Sequence, residues 1–198
     1  MVLELLEDDG YDAVQLREVA RRARVSLATV YKWFPTRNEM IVAAVERWMA
    51  EHSYSTVTAP EPGESLRAGL MRLLRCVFEP WERDPRMLEA YYRARSGVGG
   101  HRLDAQGVEA ILPVAAPLVE GADPRYVADV GMVLSNLTFA LIGRFVDKTM
   151  DITEILPTLD RAIHRLTADN AAEASAARGG GRAQVNLHRS LAAPFDRR

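Results

Sequence analysis

The stretch Leu16–Phe34, "LREVARRARVSLATVYKWF", contains the clearest structural pattern in this chain. Its first part has apolar residues at helical spacing, at Leu16, Val19, Ala20 and Ala23. Ser26 is a favourable N-cap for a second, shorter helical pattern that stops at Pro35. A helix, a tight turn and a short second helix have the lengths of a helix-turn-helix unit, whose second helix lies in the major groove of DNA.

The second helix of this unit is expected to have two different faces. Val30 and Phe34, helped by Val25 from the turn, are predicted to pack on the first helix. The opposite face then offers a cation, hydroxyl groups and the flat indole of Trp33, which suit phosphate and base-edge contacts. The residues predicted to contact DNA are Arg17, Ser26, Ala28, Thr29, Tyr31, Lys32, Trp33 and Arg37.

Two alternatives remain open for this segment. An aromatic cluster beside a helix end, such as "YKWF", is more often part of a core than of a binding surface. Arg17 either reaches a phosphate or is a solvated surface charge. Local charge favours DNA, because residues Tyr11 to Trp48 include seven cations and four anions while the whole chain has a net charge of −2.

The rest of the pattern is also helical, so the sequence predicts an all-α fold. Thr36 and Glu39 form a capping-box pattern at the start of the next helix. The segment "VTAPEPG" (57–63) is a clear break, after which amphipathic helices follow. Prolines are expected to end or kink two of them, at Pro80, Pro113 and Pro117. The predicted domains are a DNA-binding domain (1–52), a helical ligand-binding and dimerisation domain (53–170) and a flexible tail (171–198).

Composition argues against several other classes of protein. Cys76, the single cysteine of the 198 residues, has no internal disulfide partner, which fits a reducing cytosol. The longest uncharged apolar stretch (130–143) is too short to span a bilayer, and four acidic residues among the first ten do not resemble a signal peptide. We therefore predict a cytoplasmic protein with no membrane partner.

The sequence also lacks the patterns of an enzyme. Its four histidines have no metal-ligand spacing, and there is no nucleophile elbow. The glycine-rich "GVGGH" (97–101) lacks the preceding strand that a dinucleotide site requires. We therefore predict no catalysis, no metal and no cofactor.

"LREVARRARVSLATVYKWFPTRNEMIVAAV" (16–45) resembles the DNA-binding region of the TetR family of bacterial repressors, which reads roughly as "IA" followed by "AGVS.GTLY.YF..K..L". Matching positions are Val19, Ala20, Ala23, Val25, Ser26, Thr29, Tyr31, Phe34 and Met40. Departures are Arg24 and Ala28 for two glycines, Trp33 for Tyr or His, and Arg37 for Lys. The family's first helix usually begins earlier, so we expect a shortened first helix or start.

The resemblance implies a homodimer on a DNA operator with two half-sites. Helices over Val130–Val146 and Ile152–Ala168 are predicted to form a four-helix interface with a second copy. The later helix has one apolar face, formed by Ile155, Leu159, Ile163 and Leu166. The rival hypothesis is a helical adaptor that binds only proteins, which would lack salt-dependent DNA binding.

The resemblance also implies a small-molecule effector that releases the DNA. Candidate pocket residues are Leu74, Phe78, Trp81, Met87, Tyr91, Tyr92, Met132, Asn136 and Phe139. Alternatively, the aromatics and methionines are plain core, and Asn136 bonds across a dimer or to a backbone carbonyl. "PRMLEAYYRAR" and "VLSNLTFALIGRF" resemble actinobacterial repressors of lipid and steroid breakdown that respond to acyl-CoA-type ligands. We therefore expect a bulky, mainly apolar effector.

Overall fold

Within residues 1–168, which the computed structural model describes, the chain is helical and contains no strand. The all-α prediction is confirmed, whereas the predicted tail at 171–198 lies outside the described residues. The helices are α1 (Val2–Asp9), α2 (Leu16–Ala23), α3 (Leu27–Trp33), α4 (Arg37–His52), α5 (Leu66–Arg83), α6 (Pro85–Arg95), α7 (His101–Ala115), α8 (Pro124–Val146) and α9 (Ile155–Thr167). Three 3-10 turns lie at Tyr11–Ala13, Ala116–Val119 and Ile152–Glu154.

Local signals set the ends of the N-terminal helices as the sequence predicts. Gly10 follows α1 with a φ of 84°, a conformation that glycine adopts without steric cost. The Thr36 hydroxyl accepts a hydrogen bond from the Glu39 amide at 3.1 Å, and the Glu39 carboxylate accepts one from the Thr36 amide at 3.1 Å. This capping box fixes the first turn of α4 immediately after α3 ends.

An aromatic cluster joins α4 to the helices that follow it. Trp81 of α5 lies 6.2 Å from Trp48 of α4 and 4.8 Å from Tyr91 of α6, measured between ring centroids. The indole N–H of Trp81 donates to the hydroxyl of Ser53 at 2.8 Å, and Ser53 is fully buried. The N-terminal helices and the larger helical domain therefore share one continuous core.

The prolines differ in their effect on the helices. Of the two outcomes expected at Pro80, ending the helix does not occur, because α5 continues through it to Arg83. A proline this close to the C-terminus removes one backbone hydrogen bond, while Pro80 and Trp81 are both buried. Pro113 lies inside α7, and Pro117 belongs to the 3-10 turn that follows directly.

The apolar face of α9 has the predicted spacing but a different environment from the one expected. Ile155, Leu159 and Ile163 have no exposed surface, because they pack inside the chain where α9 contacts α5 and α8. This face is therefore part of the protomer's own core and is not available to a second copy. The expectation that it forms the dimer interface is corrected accordingly.

Helix α8 instead has an exposed apolar side. Met132 is 59% exposed and Val133 is 42% exposed, and Asn136 and Ala140 are exposed on the same side. Among the described helices, α8 is the one whose length and composition would suffice to cross a membrane, with a mean hydropathy of 1.5 and 22% of that segment buried. Helices covered by protein share these properties, so they are weak evidence for a membrane span.

Candidate nucleic-acid interface

Helices α2 and α3 form the predicted helix-turn-helix unit. The Ser26 hydroxyl accepts a hydrogen bond from the Thr29 amide at 3.0 Å and shares another with the Thr29 hydroxyl at 2.8 Å. Ser26 therefore caps α3 as predicted. Arg24 ends α2 in the left-handed region with a φ of 56°, and its backbone N–H bonds to the carbonyls of Ala20 and Arg21.

One side of α3 packs on the domain and the other is open to solvent. Val30 is buried and Phe34 is half-buried, whereas Val25 is 43% exposed and so packs less completely than these two. Trp33 is 73% exposed and Tyr31 is 49% exposed. The exposed surface, called here the α3 outer face, consists of Ala28, Thr29, Tyr31, Lys32 and Trp33.

The cations near this face divide into two groups. Arg21 and Arg22 both pair with Glu18, and the hydrogen bond from Arg21 is the main reason that the pKa of Glu18 is lowered to about 2. Three other cations are exposed and have no ion pair among the described residues: Arg17, Arg24 and Lys32. Their charges are not neutralised by the chain, and this leaves them available to an anionic partner.

Arg37 requires a correction to the predicted set of DNA contacts. Its guanidinium donates to the backbone carbonyls of Val14 and Tyr11 and lies 4.4 Å from the centroid of the Tyr11 ring. Buried carbonyls need partners, and Arg37 satisfies two of them. Its side chain therefore holds the 3-10 turn against α4, and it is not a free cation on the α3 outer face.

Arg24, which replaces a turn glycine, is not among the residues predicted to contact DNA. The structure places this exposed cation, which has no ion pair among the described residues, at the C-cap of α2, three residues before α3 begins. A non-glycine residue in this left-handed conformation has a conformational cost, so the position would favour glycine.

The predicted pocket residues fall into two groups. Phe78, Trp81, Met87 and Tyr91 are buried, and Leu74, Tyr92 and Phe139 are half-buried against the same core. Met132 and Asn136 are exposed, so they do not line a site with the other seven. The Asn136 amide donates to the Met132 carbonyl at 2.8 Å within α8, which is the backbone alternative.

The buried members of this group pack on one another. The ring centroids of Phe78 and Trp81 lie 6.0 Å apart, and the Tyr91 hydroxyl donates a hydrogen bond to the Asp104 carboxylate at 3.4 Å. A cleft of about 520 Å³ lies elsewhere, along the outer side of α5, and none of the nine predicted residues lines it. Most of the residues that line it are polar or charged, and they include His52, Arg72, Arg75, Glu79 and Arg83.

Comparisons with known proteins agree with this architecture. The family described as "Bacterial regulatory proteins, tetR family" matches residues 3–44, and "Tetracyclin repressor-like, C-terminal domain" matches residues 63–166. The HTH-type transcriptional repressor KstR of Rhodococcus jostii is 36% identical over 92 residues, which are 46% of this chain and 42% of that protein. KstR of Mycobacterium tuberculosis is 26% identical over 167 residues, covering 81% and 74% of the two chains.

Solved structures show the same fold. A TetR transcriptional regulator from Rhodococcus sp. RHA1 superposes with a TM-score of 0.66 at 22% identity, covering 83% of this chain and 92% of the other. A TetR-family regulator from Streptomyces coelicolor gives a TM-score of 0.53 at 18% identity, covering 91% and 93%. With both family profiles matched in order, over the helix-turn-helix and over the helical domain that follows, the chain belongs to the TetR family of bacterial regulators.

Proposed function

We propose that this protein is a transcriptional repressor that binds a pseudo-palindromic operator as a homodimer and that a bulky, mainly apolar small molecule releases it. The observation that carries the DNA-binding part is the α3 outer face. It presents Trp33, Tyr31 and Lys32 to solvent, with two further unpaired cations, Arg17 and Arg24, nearby in the chain. The relatives named KstR are transcriptional repressors, which supports the direction of regulation.

In this proposal the residues have different roles on the duplex. Lys32, Arg17 and Arg24 neutralise phosphates and so set affinity and register. Ala28, Thr29 and Trp33 approach base edges in the major groove, where a small side chain, a hydroxyl and an indole discriminate between bases. Ser26 acts mainly through its cap on α3. Tyr31 donates its hydroxyl to a phosphate, since that group has no partner among the described residues.

The exposed side of α8 is proposed as the centre of the dimer interface. Asp129, Met132, Val133, Asn136 and Ala140 share this side at spacings of a helical stripe. Exposed apolar side chains of this size on one helix are favourable to bury against a second copy. A two-fold axis through α8 would present two α3 helices to the two half-sites of an operator.

The effector is proposed to bind within the larger helical domain. Because the aromatic cluster is packed, binding requires a conformer in which these helices separate, and the effector must prefer that conformer to the DNA-binding one. Linkage then requires that operator DNA weaken effector binding by the same factor. The proposed lipid, steroid or acyl-CoA class of the effector follows from the resemblance, and the proposed cytoplasmic location follows from the composition of the chain.

The test is to select bound duplexes from random DNA and to measure their affinity for two lysine variants over a range of salt concentrations. Lys32→Ala should weaken binding and reduce the slope of log K against log salt by about one unit, as expected for one lost phosphate contact.

Lys148→Ala is the matched control, because Lys148 is the other lysine of the chain and is exposed at the far end of α8. Equal salt slopes for the two variants would remove Lys32 from the contact set. Failure to recover any salt-sensitive duplex would favour the protein-binding adaptor instead.

A further inference from the structure

The glycine-rich loop between α6 and α7 (residues 96–100) contacts the first turn of α4. The amide nitrogen of Asn38, in the first turn of α4, donates to the carbonyls of Ala94 at 2.9 Å and Val98 at 2.8 Å. Its side-chain oxygen accepts from the Tyr11 hydroxyl at 3.3 Å. Asn38 therefore joins the N-terminal domain to the helical domain by two hydrogen bonds, and a third ties it to Tyr11 within the N-terminal domain.

The loop has room for this side chain because it contains glycine. A Cβ on Gly97 would lie 2.5 Å from both the amide carbon and the amide nitrogen of Asn38, which is closer than real contacts allow. Gly99 has a φ of 80°, and a Cβ there would lie 3.4 Å from Glu39. The "GVGG" segment thus fits the first turn of α4, which gives a structural reason for a motif that matched no dinucleotide site.

A second contact lies beside the first. The Tyr11 ring lies between two guanidiniums, that of Arg37 in α4 at 4.4 Å and that of Arg93 in α6 at 4.1 Å from its centroid. Arg93 also donates two hydrogen bonds to Asp12, at 2.9 and 2.8 Å. An exposed ion pair alone stabilises little, but the fork-shaped pairing and the ring contact together restrict the angle between α6 and the Tyr11–Ala13 turn.

These contacts act on the element that positions the α3 outer face. Only Phe34, Pro35 and Thr36 separate α3 from α4, and the capping box fixes the first turn of α4. The contacts of Asn38 and Tyr11 therefore constrain the orientation of α3 relative to the helical domain, together with the packing of Trp48 on Trp81 at the other end of α4. In a dimer joined through that domain, the same contacts set the distance and angle between the two α3 helices.

We propose that Tyr11, Asp12 and Asn38, held by Arg93, Ala94, Gly97 and Val98, form an interdomain lock that determines which half-site spacing the dimer accepts. This inference rests on the proposed function, because spacing has meaning only for two copies on one operator. One added base pair rotates a half-site by about 34° and moves it by about 3.4 Å. A locked dimer cannot follow this change without straining the lock, whereas an unlocked one can.

The experiment measures binding to a panel of duplexes that carry the selected half-sites at the selected spacing and at one and two base pairs more or fewer. The wild-type protein should lose about tenfold or more in affinity for one base pair of change, comparable to a mismatched base pair. Arg93→Gln and Gly97→Ala should lose less than about threefold over the same change, because each releases one side of the lock.

Arg95→Gln is the matched control. Arg95 lies on the same helix, is about as exposed as Arg93 and forms an ion pair with Asp104, but both residues belong to the larger helical domain. This variant should keep the wild-type preference for half-site spacing even if it lowers the stability of the protein. The dependence of affinity on spacing therefore distinguishes an effect on domain orientation from an effect on folding. Gly97→Ala carries the test without altering any charge.

The possible results are distinguishable. Wild-type spacing preference in both lock variants, with folding verified by circular dichroism, would overturn the lock while leaving the dimeric repressor intact. A flat profile for the wild-type protein itself would instead contradict binding of one dimer to two half-sites. A flattened profile in the two lock variants, with a steep one in Arg95→Gln, supports the proposal.

Discussion

Arg24 combines a conformational cost with a positive charge that we propose contacts DNA. Its φ of 56° lies in the region where a residue with a Cβ is less stable than glycine by about 1 kcal/mol. A glycine at this position would relieve the cost and would match the family pattern. The exposed guanidinium that the chain has instead is adjacent to the DNA-reading helix.

We therefore expect Arg24→Gly to raise the free energy of unfolding by about 1 kcal/mol and to weaken DNA binding at the same time. Urea denaturation and duplex titration measure the two effects separately. Lys148→Gly is the control, because Lys148 is the other non-glycine residue with a positive φ among the described residues, at 59°. It should leave DNA binding unchanged. Tighter DNA binding by Arg24→Gly would show that Arg24 has no phosphate contact.

At the residue scale, the sequence predicts contacts between neighbours in the chain better than distant ones. The Ser26 cap and the Thr36–Glu39 capping box are correctly predicted, because both depend on a spacing of three residues. Arg37 is not, because its carbonyl partners lie 23 and 26 residues away and become neighbours only in the folded chain. The same holds for Asn38, whose partners lie 56 and 60 residues away.

At the scale of elements, periodicity identifies which residues share a face but not what covers that face. Ile155, Leu159 and Ile163 share a face as predicted, yet they are covered by α5 and α8 of the same chain. Helix α8 shows the opposite case, because apolar residues such as Met132 are exposed to solvent instead of being covered by other helices of the same chain. The cover depends on how the helices are arranged, which a single helix's pattern does not contain.

This difference gives a direct test of the dimer. Met132→Glu should yield a folded monomer, because a charge there opposes burial against a second copy but disturbs no contact in the protomer's core. Leu159→Glu should instead unfold the protein, since an unpaired charge in a fully buried position costs about 4 kcal/mol or more. Sedimentation velocity and circular dichroism distinguish the outcomes. A Met132→Glu protein that stays dimeric would move the interface away from α8.

At the scale of the whole molecule, the stability of the protein at alkaline pH depends on the tyrosines that are buried between its helices. Burial, with the nearby charge of Asp104, raises the pKa of Tyr54 and of Tyr91 well above the ordinary tyrosine value. The unfolded chain therefore loses these protons first. The contribution of these tyrosines to the free energy of unfolding is constant below about pH 10. Above that pH the free energy of unfolding falls by about 1.4 kcal/mol per pH unit for each tyrosine that stays protonated in the folded protein.

We expect Tyr54→Phe to make this decline shallower without changing the decline on the acid side. Urea denaturation between pH 8 and 11.5 measures it, over a range set by the tyrosine pKa of about 10. Few other groups titrate there, because the chain has only two lysines and six tyrosines. Tyr31→Phe is the control, since Tyr31 is half exposed on the α3 outer face. An equal decline in both variants would mean that Tyr54 ionises freely in the folded protein.

The three tryptophans lie in two regions of the molecule, the α3 outer face and the buried junction between the domains. Trp33 stands 73% exposed on the α3 outer face, while Trp48 and Trp81 are buried together at the junction of the domains. The protein thus contains its own optical reporters. Emission from Trp33 should be red-shifted and open to quenching by iodide until a duplex shields it, whereas emission from the buried pair should respond to movement between the domains, so one unlabelled sample can report both events separately.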